Sequence, residues 1–141
     1  MPGAAPTIAD AVASAAPGDV VTLAPGVYTE HVTVAIDLEI HGGPGVSWVA
    51  VGEDPLLTVS GATVVVRDVV FEGGGGLEVM GGALEVVRCT VRNAEGADGG
   101  GVRAEDAELV LRDARFEDNA AGRGAHVYVE GGSLTIERGS Y

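Results

Sequence analysis

Apolar residues recur in pairs, two positions apart, from Leu57 to the end of the chain. Leu57 and Val59, Val64 and Val66, then Phe71 make one copy. Leu77 and Val79, Leu84 and Val86, Val91 make the second. Val102 and Ala104, Leu109 and Leu111, Phe116 make the third. Val127 and Val129, Leu134 and Ile136, Tyr141 make the fourth. The copies are offset by 20, 25 and 25 residues. A spacing of two puts both members of a pair on one face of a strand. The residue between them points the other way: Thr58, Glu78, Arg103 and Tyr128 in the first set, Val65, Glu85, Val110 and Thr135 in the second. Self-similarity at this period predicts a solenoid. A leucine-rich repeat of similar length needs a fixed Asn and a helical half, and these copies have neither. The remaining solution is a coil in which each copy is one rung. Each strand then pairs in parallel with its equivalent one rung on, about 4.8 Å away. Phe71, Val91, Phe116 and Tyr141 are expected to stack as an interior ladder.

Charge supports the same register. Asp68, Arg88, Asp113 and Arg138 lie two residues after each second pair, and their signs alternate. Glu72, Arg92 and Glu117 alternate in the same way one residue after the aromatic column. Opposite charges stacked one rung apart attract. Each exposed pair is worth only about 0–1 kcal/mol, so the pattern reports alignment more than stability.

Upstream of the repeats the pattern changes. Ile8, Ala11, Val12, Ala15 and Ala16 share one face at helical spacing, predicting a helix over 7–16. Thr7 is the candidate N-cap, with Asp10 in the first turn and Pro17-Gly18 as the stop. A solenoid exposes core and strand edges at its ends, so this helix is expected to be a cap. Strands follow over Val20–Leu23, Tyr28–Val34 and Asp37–His41, with extended chain from Trp48 to Val51 and turns at Pro25-Gly26, Gly42–Gly45 and Asp54-Pro55.

These opening residues carry a resemblance. Ile8-Ala-Asp-Ala-Val, then Ala16-Pro-Gly-Asp-Val-Val-Thr-Leu-Ala-Pro-Gly-Val-Tyr-Thr-Glu-His-Val-Thr-Val, then Leu38-Glu-Ile-His-Gly, resemble the start of pectin-lyase-like β-helix proteins. There a capping helix leads through a Pro-Gly-Asp turn and a Pro-Gly-x-Tyr-x-Glu segment into the first full coil. The match covers about a third of the chain. The later segment Asn119-Ala-Ala-Gly-Arg-Gly-Ala-His-Val is similar to repeats of polymorphic outer-membrane and autotransporter β-helices, with Arg123 interrupting the glycine pair. Asn93 leading into Gly99-Gly-Gly-Val is a looser version. The fold implied is all-β: a right-handed parallel β-helix with an N-terminal α-helical cap, one domain over 1–141 with rungs over 20–141.

Composition narrows the function. The formal charge is −13, which argues against nucleic acid and anionic membrane surfaces. All eight basic residues are Arg and all follow Val66; Lys is absent, as biased codon usage in a GC-rich gene would produce. No stretch reaches the length of a membrane span. No signal peptide is legible, which fits a cytoplasmic protein or an extracellular one whose leader has been removed. Cys89 is the single cysteine, so no internal disulfide forms. It shares a column with Val69, Ala114 and Gly139 and is expected to be a small core residue.

The resemblance brings in polysaccharide lyases, glycoside hydrolases and sugar esterases, whose motifs can be sought residue by residue. The Asn-Thr-Asp, Gly-Asp-Asp and Gly-His-Gly motifs of polygalacturonases are missing, as is the Gln-Asp-Thr segment of pectin methylesterases. Lyase chemistry needs carboxylates on neighbouring rungs around calcium, which takes six to eight oxygens. Glu53-Asp54, Glu105-Asp106 and Glu117-Asp118 instead fall at different rung positions. His31, His41 and His126 lack ligand spacing. No catalytic residue, metal site or cofactor is therefore assigned, and the fold is expected to be indifferent to calcium. The outward column Glu78, Arg103, Tyr128 is the candidate ligand site, with polysaccharide as its ligand, because Arg and Tyr can hydrogen-bond and stack on a sugar. Two readings stand side by side: a non-catalytic structural or interaction module, and a carbohydrate-binding or polysaccharide-active domain. Leu134, Ile136 and Tyr141 look like an ordinary interior rung with nothing polar beyond. That end is expected to be covered from outside, by a second copy in a symmetric dimer or by a continuation or partner.

Overall fold

The computed structural model describes residues 8–43, 45–49, 56–73, 76–92, 95–98, 102–117, 120–123 and 127–140, with backbone alone for 95–98, 120–123 and 138–140. Thr7, Glu53, Asp54, Pro55, Asn93, Asp118, Asn119, His126 and Tyr141 lie outside the described residues, and so do the side chains of Arg123 and Arg138.

The chain opens with α1 (Ile8–Ala13). Three strands make the first coil: β1 (Asp19–Thr22), β2 (Gly26–Thr29) and β3 (Val32–Val34). The second coil is β4 (Leu38–His41), β5 (Val46–Val49) and β6 (Leu57–Ser60). The third is β7 (Thr63–Arg67), β8 (Val70–Glu72) and β9 (Leu77–Met80). Then come β10 (Ala83–Val87), β11 (Thr90–Arg92), β12 (Glu95–Asp98) and β13 (Val102–Glu105). The next coil holds β14 (Glu108–Glu117), β15 (Ala120–Arg123) and β16 (Val127–Glu130), and β17 (Ser133–Ser140) begins another.

Each strand pairs in parallel with the strand one coil later, which makes the molecule a parallel β-helix. Three sheets result. The first runs β1, β4, β7, β10, β14, β17; the second runs β2, β5, β8, β11 and the far end of β14; the third runs β3, β6, β9, β13, β16. Long β14 bends through the corner between the first two and joins them. The register pairs Val64 with Leu84, Leu84 with Leu109 and Leu109 with Leu134, offsets of 20, 25 and 25 residues. In the longer coils, β12 and β15 pair with each other between the second and third sheets.

The inward residues fill the coil. Val59, Val64, Val66, Val79 and Val86 are fully buried. The aromatic column extends further than the repeats suggest: Phe71 registers with Trp48, and Trp48 with Tyr28. The Trp48 and Phe71 rings lie 5.2 Å apart at 38°. Corners between the first and second sheets turn on Asp68, Arg88 and Asp113, all in the left-handed region at φ 57°, 50° and 52°. Between the third and first sheets the equivalent residue is Gly61, Gly81 or Gly131, and Asp106 in one coil. The left-handed conformation favours Gly, with Asp among the better-tolerated alternatives.

Two elements differ from the sequence expectation. The helix is shorter than 7–16, stopping at Ala13. It is capped from a distance: the Glu30 carboxylate accepts the N–H groups of Ile8 and Ala9, both at 2.8 Å. Ile8 is buried, with Ala11, Val12 and Ala15 packed against the core, whereas Ala16 is exposed. The single strand expected over Tyr28–Val34 is two strands, β2 and β3, in different sheets. The chain turns there at Glu30 and His31, where the Glu30 carbonyl accepts the Trp48 indole N–H at 2.8 Å.

Candidate functional site

Strand alternation on the third sheet sends every second side chain outward, and the parallel register stacks them into columns. Thr33, Thr58, Glu78, Arg103 and Tyr128 occupy one such column, one residue per rung. The sequence-derived triad of Glu78, Arg103 and Tyr128 is therefore contiguous on three successive coils. Ser60, Met80, Glu105 and Glu130 form the parallel column two residues along.

The two columns are laced together. Arg103 Nη1 donates to Glu78 Oε2 at 3.2 Å, and its Nη2 lies 3.1 Å from Glu105 Oε1. Tyr128 donates its hydroxyl to Glu130 Oε2 at 2.7 Å. The Arg103 side chain is about one-third exposed, and its Nε is buried without a hydrogen-bond partner. A planar guanidinium held from two sides is fixed in orientation. Across Glu78, Glu105, Glu130 and Arg103 the face carries three acids against one base. Glu105 and Glu130 were not among the sequence-derived site residues. The signal was available: both sit in the same strand position as Ser60 and Met80, two residues after the triad's column.

The outer face of the first sheet carries a second charge ladder. Arg67 lies 3.9 Å from Glu39, and Arg112 lies 3.3 Å from Glu85 and 3.2 Å from Glu137. His41 contacts Glu39 at 2.9 Å, while His31 is exposed. Val87 points outward yet is buried, because Arg67 and Arg112 flank it in register and their aliphatic stems cover it.

At the corner leading to the second sheet, Arg88 grips Asp68 through a fork of two bonds at 2.8 and 3.0 Å. The guanidinium hydrogen bond holds the Asp68 carboxyl below its usual value of 3.8. Beside this pair a shallow depression of about 470 Å³ is lined by Gly43, Gly45, Ser47 and Val70. The fork already satisfies both its charges. The alternation expected at Glu72 and Arg92 appears as an ion pair at 3.6 Å. Cys89 is a core residue: it is buried between rungs, and burial pushes its thiol up to about 12. Among the described residues no three His, Cys, Asp or Glu side chains group so as to hold a metal ion. No described helix is long and apolar enough to cross a membrane.

No protein-family model matches the chain, and no curated protein does. Two solved structures resemble it. One is a substituted pectin methylesterase in complex with a hexasaccharide, at TM-score 0.49 and 16% identity over 82% of this chain and 50% of that one. The other is a pectin methylesterase in complex with another hexasaccharide, at TM-score 0.40 and 16% identity over 80% of this chain and 62% of that one. The chain thus spans about half the length of the first. The chain's own parallel strand register makes it a parallel β-helix.

Proposed function

We propose that the chain is a carbohydrate-binding solenoid that holds a glycan along the outer face of its third sheet without cleaving it. The observation that carries this reading is the stacked column of Glu78, Arg103 and Tyr128, with Arg103 fixed by two carboxylates and Tyr128 by Glu130. Successive rungs lie about 4.8 Å apart, close to the length of one sugar ring. A chain of pyranoses laid along the column meets one side chain per residue. The Tyr128 ring stacks on a sugar face, the guanidinium edge donates to hydroxyl oxygens, and the carboxylates accept from hydroxyl groups. Fixing these groups before binding lowers the ordering cost.

Binding rather than cleavage is supported by how the acids are used. Glu78 and Glu105 are engaged by Arg103, and Glu130 by Tyr128. Charge narrows the ligand: three acids against one base repel uronates, so neutral or amino-substituted glycans fit. Calorimetric titration of neutral, amino-substituted and uronate oligosaccharides tests this. Neutral or amino-substituted oligosaccharides are expected to bind, with Tyr128→Ala and Arg103→Ala each weakening binding at least tenfold. Arg112→Ala on the first sheet should leave it unchanged. Failure of every glycan to bind, or full binding by Tyr128→Ala, would remove the reading. Release of reducing ends, unsaturated ends or methanol would replace it with an enzymatic one.

A further inference from the structure

We infer that Met80 makes the outer face of the third sheet selective for glycans whose sugars carry an N-acyl group, with the acyl methyl packed on the Met80 thioether. The inference rests on the glycan-binding reading of that face. Met80 ends β9 and points outward, between Ser60 and Glu105 in its column. Among the described residues it is the one large aliphatic side chain facing outward on a strand of this sheet, and it is 38% exposed. An outward valine on the first sheet fares differently: Val87 is 6% exposed because Arg67 and Arg112 flank it. Arg103, on the rung after Met80, is held by Glu78 and Glu105 instead, and the thioether stays exposed.

Four side chains make a two-by-two patch. Glu78 and Met80 are neighbours on the outer face of one strand, about 7 Å apart along it. Arg103 and Glu105 lie in register with them one rung on, about 4.8 Å away. Glu78 accepts from Arg103 Nη1 through Oε2 at 3.2 Å, and Glu105 Oε1 lies 3.1 Å from Nη2. Each carboxylate keeps a second oxygen as an acceptor, and each Nη keeps a second hydrogen as a donor. The patch thus places acceptors, donors and an apolar surface side by side.

The class of ligand follows from that set. An acylamino group on a sugar ring has an N–H to donate, a carbonyl to accept and a methyl to bury. Carboxylate, guanidinium and thioether answer these in turn, and the group brings no charge to a face that already carries three acids and one base. Met suits the third role because its flexible, polarisable side chain adapts to what it touches. A free amino sugar fits less well. Its strongly hydrated ammonium approaches carboxylates that Arg103 already bridges, and gains only an exposed, salt-screened attraction. It also leaves Met80 uncovered, as an unsubstituted hexose does.

Calorimetric titration at about 0.15 M salt tests the proposal with three probes: a tetramer of N-acetylglucosamine, its de-N-acetylated form and the matching glucose tetramer. The N-acetylated tetramer is expected to bind at least about fourfold tighter than either of the others, the equivalent of one buried methyl group. Met80→Ser should bring the ratio of N-acetylated to glucose affinity close to one, and Met80→Leu should retain it. Val27→Ser, at a valine 71% exposed on the second sheet, should not alter it. Equal affinity for the N-acetylated and glucose tetramers would overturn the proposal while leaving the glycan-binding reading in place. So would tightest binding by the free amine, or a ratio that Met80→Ser leaves intact or Met80→Leu abolishes. If none of the three binds, the proposal falls, and the wider reading falls with it only if every other glycan fails too.

Discussion

Glu30 joins the capping helix to the coil, and removing its carboxylate should loosen that end alone. Its side chain accepts the N–H groups of Ile8 and Ala9, each at 2.8 Å. Its carbonyl accepts the Trp48 indole N–H, and its own N–H reaches the Val49 carbonyl at 3.2 Å. The backbone is thus pinned to the second coil while the side chain grips the helix. An N-cap hydrogen bond is typically worth about 1 kcal/mol. A carboxylate at a helix N-terminus adds about 0.3–1 kcal/mol. The helix has only six residues, too few to stand without such help. Two bonds at a partly exposed site together come to about 2 kcal/mol for Glu30→Ala, and roughly half that for Glu30→Gln, which keeps one acceptor oxygen. At about 2–4 °C per kcal/mol for a chain near this size, Glu30→Ala should lower Tm by roughly 4–8 °C. Contacts in a solenoid run mainly between neighbouring rungs, so hydrogen exchange should rise in α1 and stay unchanged in β7 to β14. Urea titration and exchange read by mass spectrometry measure both. Variants within about 0.5 kcal/mol of the parent, with α1 amides still protected, would refute the reasoning.

Three further outcomes are expected. Gly82→Ala should destabilise by about 1–3 kcal/mol, because its Cβ would press on the Ala62 carbonyl oxygen and lie 2.7 Å from the Ala62 nitrogen, backbone atoms that cannot yield cheaply; urea titration at parental stability would contradict this. The Cys89 thiol, pushed up to about 12 by burial, should resist a thiol reagent at pH 8 until the protein unfolds, and rapid labelling of the native state would show an opening that this packing does not allow. Because Arg88 lowers the Asp68 carboxyl in the folded state, that contribution is present above the unfolded value of 3.8 and lost as pH falls through the lower folded value. The stabilities of the parent and Asp68→Asn should therefore converge in acid, as thermal melts from pH 7 to pH 2 would record; a gap that persists unchanged at pH 2 would count against the pair.

What the sequence determines by itself is the period and the sense of each side chain. Pairs such as Leu84 and Val86 declare a strand face, and offsets of 20, 25 and 25 residues place equivalent pairs one rung apart, as the register of Val64, Leu84, Leu109 and Leu134 bears out. The small-residue column of Val69, Cys89 and Ala114 and the opposed charges of Asp68 and Arg88 were legible for the same reason. The triad of Glu78, Arg103 and Tyr128 could be aligned in advance because a parallel register preserves position within the rung. Tertiary structure decided what lies sideways to that period. Glu30, the Glu of the Pro-Gly-x-Tyr-x-Glu segment, meets Ile8 across 22 positions, and local spacing does not name that partner. Glu105 reaches Arg103 and Val87 disappears beneath two arginines because long side chains bridge columns, and their lateral reach is not encoded in spacing. The run from Tyr28 to Val34 breaks at Glu30 and His31 because the coil must turn a corner there, although its apolar alternation continues through the break. Alternation records which side chains face inward; the coil's closure on itself decides where a strand must stop.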